Sequence, residues 1–400
     1  MKKRPSLLTI FFVLIIFALG FGSLPFSARN IARSFKATFI SEIERGNLSF
    51  STFTLSFDNA VLSGFYTKNY FIDRYGELST LLDKRIIDDV VKANTVYKTD
   101  SGQLTWVVPE ADFTQGVANL SELKAYLDTL DIPLLYVNEP TKMAFDDSGL
   151  PYGVKDYSQA NMANLMKKMT EAGIFVYDLK TDMVNDHKTM DELFYVTDHH
   201  WTTKTGLWAA QKLTQKISDT LGFTYDQAHY DLSNYDEVVY KNWFLGSLGK
   251  RVGSTYRTPD DYVLLKPKFE TNFTLEIPTT KVMRTGRFED SLLFQYYLQT
   301  KNWYVMNPYM ANLDGDHDLI HITNPDAADK PKILIVKDSF ADVMVPFMAN
   351  DFSEITVIDL RKLSGQKLTD IIASEKPDMV LIAYYAALMD SGSTINFMGN

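Results

Sequence analysis

The chain of 400 residues contains no cysteine, which removes disulfides, thiolate metal sites, iron–sulfur clusters and thiol nucleophiles together. Histidine is scarce, with six in all, so any that cluster beside a carboxylate stand out as candidate bases. Basic charge is outnumbered: 40 Lys and Arg against 50 Asp and Glu leave a net charge of −10. Such a balance disfavours phosphate backbones, and nucleic acid is not an expected partner. Internal repeats and low-complexity runs are also missing. What remains is 46% apolar and 22% charged, a globular composition with material for one large domain or two ordinary ones.

Only one long hydrophobic run is present. Lys2-Lys3-Arg4 precedes an apolar stretch at 7–24, close to the ~20 residues that a bilayer-crossing helix needs. No clear small-x-small cleavage site follows, so residues 1–25 are expected to form a single-pass membrane anchor, or a signal sequence if cleaved. The remainder is expected on the outer side of the membrane, or secreted. Residues 26–95 read as a mostly helical lead-in, with a Ser/Thr/Phe alternation at 48–57 that suggests a short strand.

From 96 to 400 the pattern is that of an α/β domain. Strand-like apolar runs occur at 104–108, 132–137, 174–177, 333–336, 355–358 and 379–382. Helical spacing separates them at 121–130, 157–172 (ended by Gly173), 203–221, from 340, and at 368–374. Continuous apolar strands alternating with helices predict a parallel sheet covered by helices on both faces. The irregular stretch at about 224–330, rich in Tyr, Asn, Asp and Thr, reads as a β-rich insertion.

Two segments at strand ends carry candidate chemistry, since ligands in such sheets gather at the carboxyl ends of the strands. Lys337-Asp338-Ser339-Phe340 joins a strand to a helix. A serine there sits among free N–H groups able to hold an oxyanion, although Asp and Ser are also ordinary helix caps. Thr197-Asp198-His199-His200-Trp201 places two of the histidines beside a carboxylate. In an extended segment side chains alternate, so Asp198 faces the same side as His200 and can orient its ring. Together they offer an acid (Asp198), a base (His200) and a nucleophile (Ser339). A different chemistry, a divalent metal held by Asp198, His199 and His200 with the acidic stretch 314–318, is a weaker alternative, and no metal or other cofactor is expected.

The segments TDHHW (197–201), FLGSLGKRVG (244–253) and ILIVKDSFADVMVPFMA (333–349) resemble the DHHW family of bacterial surface proteins, which is similar to the SGNH-hydrolase-like O-acetyltransferase domains of AlgX and AlgJ. The likeness extends to the lead-in at 65–78. It implies an SGNH-like, flavodoxin-like fold with the triad in the order Asp198, His200, Ser339. The implied activity is acetyl transfer to an exopolysaccharide, the acetyl delivered by a membrane-bound O-acyltransferase partner. An acetyl esterase with the same triad, or an anchored non-catalytic scaffold, are the alternatives. Two positions depart from the relatives: Lys337 stands where Gly is usual and would bring a cation near the oxyanion, and His199 stands in place of Thr. Candidates for the second oxyanion donor are Asn307, Asn324, Gly246 and Gly249. Lys250 and Arg251 are candidates for contact with a polyanionic acceptor. Trp243, Tyr256, Tyr262, Trp303 and Tyr304 are candidates for stacking on sugar rings.

Overall fold

The computed structural model describes residues 6–44, 49–65, 67–391 and 395–398, and the chain divides into two compact units, Met1–Leu82 and Asp83–Asn400. The first unit holds three helices, α1 (Leu7–Glu44), α2 (Phe50–Gly64) and α3 (Lys68–Leu81). The strand expected within 48–57 is therefore helix. Ser49 caps α2 by accepting the Thr52 N–H at 3.1 Å. Phe53 and Phe57, four residues apart and so on one helix face, pack edge-on against Phe35 of α1. The apolar stretch at 7–24 forms the start of α1. Among the described residues no helix is long and apolar enough to cross a membrane, so the expected anchor gains no support from the structure.

The second unit is built on one eight-stranded sheet. Its strands are β1 (Leu134–Asn138), β2 (Phe175–Asp178), β3 (Phe273–Ile277), β4 (Val282–Gly286), β5 (Leu319–Thr323), β6 (Lys332–Lys337), β7 (Glu354–Ile358) and β8 (Met379–Tyr384), in the order β2-β1-β8-β6-β7-β5-β3-β4. The first five in that order run parallel, and the last three pair antiparallel. This corrects the all-parallel expectation: the stretch 224–330 does not stand apart but lends three strands to the same sheet. Their pattern differs because they bury mainly one face. Phe273, Leu275 and Ile277 point inward while Thr274 and Glu276 are only half-buried, the alternation of antiparallel strands. The run at 104–108 is corrected too: Leu104–Thr105 belongs to a small antiparallel sheet with Ile86–Ile87 and Val96–Lys98. Tyr235–Phe244 and Asp260–Pro267 form a separate hairpin.

The parallel strands β1, β6, β7 and β8 bury both faces by alternation, whereas the edge strand β2 stays partly exposed. Leu135, Val137, Ile333, Ile335, Val357 and Leu381 share one core with Leu207, Leu213 and Ile217. Leu134, Tyr136, Leu334, Val336, Val380 and Ile382 share the other with Leu120, Leu127, Leu165 and Ile372. Each fully buried Leu, Ile or Val contributes about 1.5–3 kcal/mol, so this double burial is what the apolar runs encode. The covering helices are α4 (Thr114–Asp128), α5 (Ser158–Glu171), α6 (Thr203–Leu221) and α7 (Leu368–Glu375). α4 begins seven residues ahead of the expected Ser121, and the helix expected from Phe340 is a 3-10 turn, Ser339–Val343, followed by a short helix, Val345–Met348.

The order of the parallel strands also explains the order of the candidate triad. Counted from β6 and continued through β7, β8, β1 and β2, the strands lie across the sheet as 2-1-3-4-5, the flavodoxin-like order. The chain is thus a circular permutation of that fold, beginning with its fourth and fifth strands. The switch point between the first and third strands lies between β6 and β8, and Ser339 follows β6 directly. Gly206 of α6 makes the nearby packing possible, because a Cβ there would come within 2.4 Å of the Val343 carbonyl oxygen. Gly206→Ala is expected to lower stability by about 1–3 kcal/mol in chemical denaturation, as overpacked cores do.

Candidate active site

Asp198, His200 and Ser339 meet at the carboxyl end of the sheet. His200 Nε2 lies 2.7 Å from Ser339 Oγ, across 139 residues of sequence. On the other side of the ring, His200 Nδ1 lies 2.5 Å from Asp198 Oδ1. That carboxylate also accepts the His200 backbone N–H at 3.0 Å and, through Oδ2, the Ser247 N–H at 2.5 Å. Burial pushes the Asp198 acid upward, but the His199 and His200 rings and these hydrogen bonds outweigh it and hold the acid well below the usual carboxylate range. An ionised Asp198 keeps the proton of neutral His200 on Nδ1. Nε2 is then left to accept the Ser339 O–H. Asp198 and His200 are buried while Ser339 is only half-buried, so of the three the hydroxyl is the most open.

The turn carrying Ser339 is held from three directions. Asp338 caps it, accepting the Phe340 N–H through Oδ1 at 2.8 Å and the Tyr385 N–H through Oδ2 at 2.9 Å. The Trp201 indole donates to the Phe340 carbonyl at 2.6 Å. The Tyr309 hydroxyl donates to the Ser339 carbonyl at 2.9 Å, and its ring stacks on His200 with centroids 4.2 Å apart. The Trp of the DHHW segment therefore fastens the base loop to the turn, and Tyr309 holds base and turn together. Tyr309 carried no sequence signal beyond a Pro-Tyr pair in an irregular stretch.

The loop of residues 197–201 is fixed from behind. Asp260 accepts the N–H groups of Val196 (2.7 Å) and Thr197 (2.8 Å). Lys142, fully buried, donates to the carbonyls of Leu104 (2.8 Å) and Val196 (3.2 Å). Burial pulls the Lys142 ammonium down to about 7, although Asp260 and Asp198 resist it. None of Asp260, Lys142 or Ser247 was visible as a functional residue from spacing alone.

The remaining expected site residues are placed as follows. Gly246 and Gly249 do not offer free donors: Gly246 N–H goes to Thr197 Oγ1 at 2.9 Å and Gly249 N–H to the Thr197 carbonyl at 2.8 Å. What they provide is closeness, since a Cβ on Gly246 would lie 2.2 Å from Asp198 Cβ. Asn324 spends its amide N–H groups on the carbonyls of Ala349 (2.8 Å) and Asn350 (3.2 Å). Lys337 is fully buried and bound to Asp342 and to Asp316, the latter at 2.6 Å, so its cation is not offered to an oxyanion. Lys250 donates to the Met306 carbonyl at 2.9 Å, and the exposed Arg251 reaches the Asn94 carbonyl at 3.4 Å. Asn307 is half-buried on the same loop as Tyr309. Of the aromatic candidates, Tyr256 and Tyr262 are core residues, Trp303 and Trp243 flank Lys301, and Tyr304 is half-buried.

Donor atoms of Asp198, His199 and His200 lie within 4.8 Å of one another, but they face protein partners. His199 Nδ1 meets Ser247 Oγ at 2.9 Å, and the His200 nitrogens meet Asp198 and Ser339. The acidic stretch is likewise engaged: Asp314 with His317, Asp316 with Lys337 and Arg361, Asp318 with Thr279.

The doubly wound sheet brings Ser339, His200 and Asp198 together beside its switch point. Residues 100–263 match the family model described as ALGX, the SGNH hydrolase-like domain of the acetyltransferase AlgX, and the likeness to DHHW proteins read from the motifs stands beside it. Among solved structures, Bacillus cereus PatB1 with a sulfonyl adduct aligns with a TM-score of 0.62 at 18% identity, covering 77% of this chain and 98% of that one. A DHHW family protein from Eubacterium siraeum aligns with a TM-score of 0.54 at 18% identity, covering 76% and 95%. These structural likenesses establish the fold. Among curated proteins no match is found.

Two outcomes follow from the contacts above. Gly246→Ala displaces Asp198 and is expected to destabilise the protein by about 1–3 kcal/mol, with loss of serine reactivity, read by thermal melts and by labelling. His199 is held down to about 3 by burial and the neighbouring His200 ring, against the pull of Asp198. Its folded state therefore refuses a proton that the unfolded chain accepts below about pH 6.5. Stability is expected to fall as pH drops from there toward 3, and His199→Gln to flatten that part of the stability–pH curve.

Proposed function

We propose that the protein is an extracytoplasmic O-acetyltransferase that acylates a cell-surface or secreted polysaccharide through a Ser339 acyl-enzyme. The observation that carries this reading is the unbroken relay from Asp198 through His200 to Ser339, at 2.5 and 2.7 Å. His200 Nε2 takes the hydroxyl proton as Ser339 Oγ attacks the acetyl carbonyl, and Asp198 stabilises the imidazolium that forms. Collapse of the tetrahedral intermediate expels the donor, which leaves with the proton from His200. A sugar hydroxyl, deprotonated by the same ring, then takes the acetyl group and frees Ser339. The oxyanion is held by the Ser339 N–H, with Asn307 as the remaining side-chain candidate for the second donor.

The family description names an acetyltransferase, and the Bacillus relative carries a sulfonyl adduct, the product expected when a nucleophilic side chain meets a sulfonylating reagent. The acetyl donor in this reading is a membrane-bound O-acyltransferase partner. The basic start and apolar stretch at 7–24 support an N-terminal anchor that keeps the domain beside it.

Replacing Ser339 by Ala is expected to abolish labelling by a fluorophosphonate and to reduce acetyl release from an activated ester by roughly 10⁴-fold or more. Undiminished labelling of the Ala variant would discard the relay. Incubation with donor and glycan should give acetylated sugar in excess of free acetate; the opposite ratio identifies an esterase.

A further inference from the structure

Glu139 follows β1 at the carboxyl end of the sheet and is fully buried. Neither of its carboxyl oxygens accepts a hydrogen bond. The group within hydrogen-bond reach of that carboxyl is the side chain of Asp338, the residue that caps the turn carrying Ser339. Asp338 already accepts the N–H groups of Phe340 and Tyr385, one on each oxygen. A small cavity of about 20 Å³ adjoins Glu139, lined by Asn138, Glu139, Trp106 and Tyr385 among others, and the Oδ1 of neighbouring Asn138 is also without a donor.

The charges around the pair point the same way. Facing Glu139 are Asp338, Lys337 and Asp342 from the β6 turn, together with the Tyr136 and Tyr309 hydroxyls. Lys337 is bound to Asp342 and Asp316, and Arg361 is bound to Asp359 and Asp316. Five carboxyls (Glu139, Asp338, Asp342, Asp316, Asp359) thus share two cations (Lys337, Arg361) beneath the serine turn. Two ionised carboxylates cannot adjoin in a buried site without a proton or a cation between them. Asp338 has two N–H donors and stays the anion; Glu139 has none.

We infer that Glu139 is a neutral acid which donates its proton to the Asp338 carboxylate and thereby positions the Ser339 turn. Glu139 is a positioning residue, acting through Asp338 and touching no substrate. Burial and the adjoining Asp338 carboxylate together raise its acid well above the ordinary range, in agreement with that role. The positioning role rests on the Ser339 reading above, whereas the protonation state does not.

The test is an infrared difference spectrum of the full chain at neutral pH, wild type minus Glu139→Gln, alongside fluorophosphonate labelling. The expected difference is one protonated-carboxyl carbonyl band, shifted in D₂O. Glu139→Gln, whose amide still donates to Asp338, should label within a few-fold of wild type, while Glu139→Leu should label roughly 10- to 100-fold more slowly. A spectrum without the band overturns the inference, whatever the labelling shows. A present band with equal labelling of all three proteins overturns the positioning role. The band is independent of nucleophile identity, so failure of Ser339→Ala to abolish labelling would be a separate result. If Glu139→Leu does not fold, the labelling arm rests on Glu139→Gln alone: its alkaline limb should be flatter than wild type, because wild-type Glu139 loses its proton there, and matching limbs overturn the role.

Discussion

The contact between His200 Nε2 and Ser339 Oγ is the constraint that the surrounding structure serves. It joins two loops that share no local sequence, and a hydrogen bond of this kind is worth little if either end wanders. Each end is therefore over-determined. The ring is gripped by a carboxylate on one face of the loop and a stacked tyrosine on the other. The hydroxyl rides on a turn whose two carbonyls are held by Trp201 and Tyr309 and whose N–H is held by Asp338. Trp201 and Tyr309 each touch both halves, so the His200 ring and the Ser339 hydroxyl are fixed relative to one another rather than separately.

How the site is reached from the sequence depends on which forces leave a linear trace. Double-sided burial leaves one: the runs at 333–336 and 379–382 are apolar at every position and 355–358 at all but Thr356, because both faces are covered, and each appears as a strand. One-sided burial leaves a weaker trace, so Phe273–Ile277 and its antiparallel neighbours read only as scattered strand candidates in an insertion. The Ser/Thr/Phe alternation at 48–57 is compatible with a strand, and only the i,i+4 placement of Phe53 and Phe57 against Phe35 decides for a helix. His200 is legible because histidine is scarce, and Asp198 and Ser339 because each stands in a short restricted segment, beside the histidine pair or at a strand end. Tyr309, Asp260 and Lys142 are not, since each acts through backbone carbonyls or amides that any sequence possesses. Gly246 matters through its missing Cβ, which lets Asp198 approach, and Gly249 through the same closeness to Leu245 and Thr197.

The buried charges below the serine turn show how a lysine can occupy a position where glycine is usual in similar motifs. Lys337 is fully buried and its ammonium is taken up by Asp342 and Asp316. Burial of the ion cluster is costly by itself, and it is tolerable only because each cation meets two carboxylates with hydrogen bonds. The cluster also ties the loop around Asp316 to β6 and β7, so part of the irregular stretch becomes a wall of the site.

The permuted strand order has a consequence for how the two halves of the sheet are joined. β8, the last strand in the chain, is inserted between β1 and β6. Until residues 379–384 are in place, the half of the sheet led by β1 and β2 and the half led by β6 and β7 share no edge. His200 follows β1 and β2 in the chain and Ser339 follows β6, so β8 is the strand that knits the two sheet segments behind these partners into one hydrogen-bonded surface.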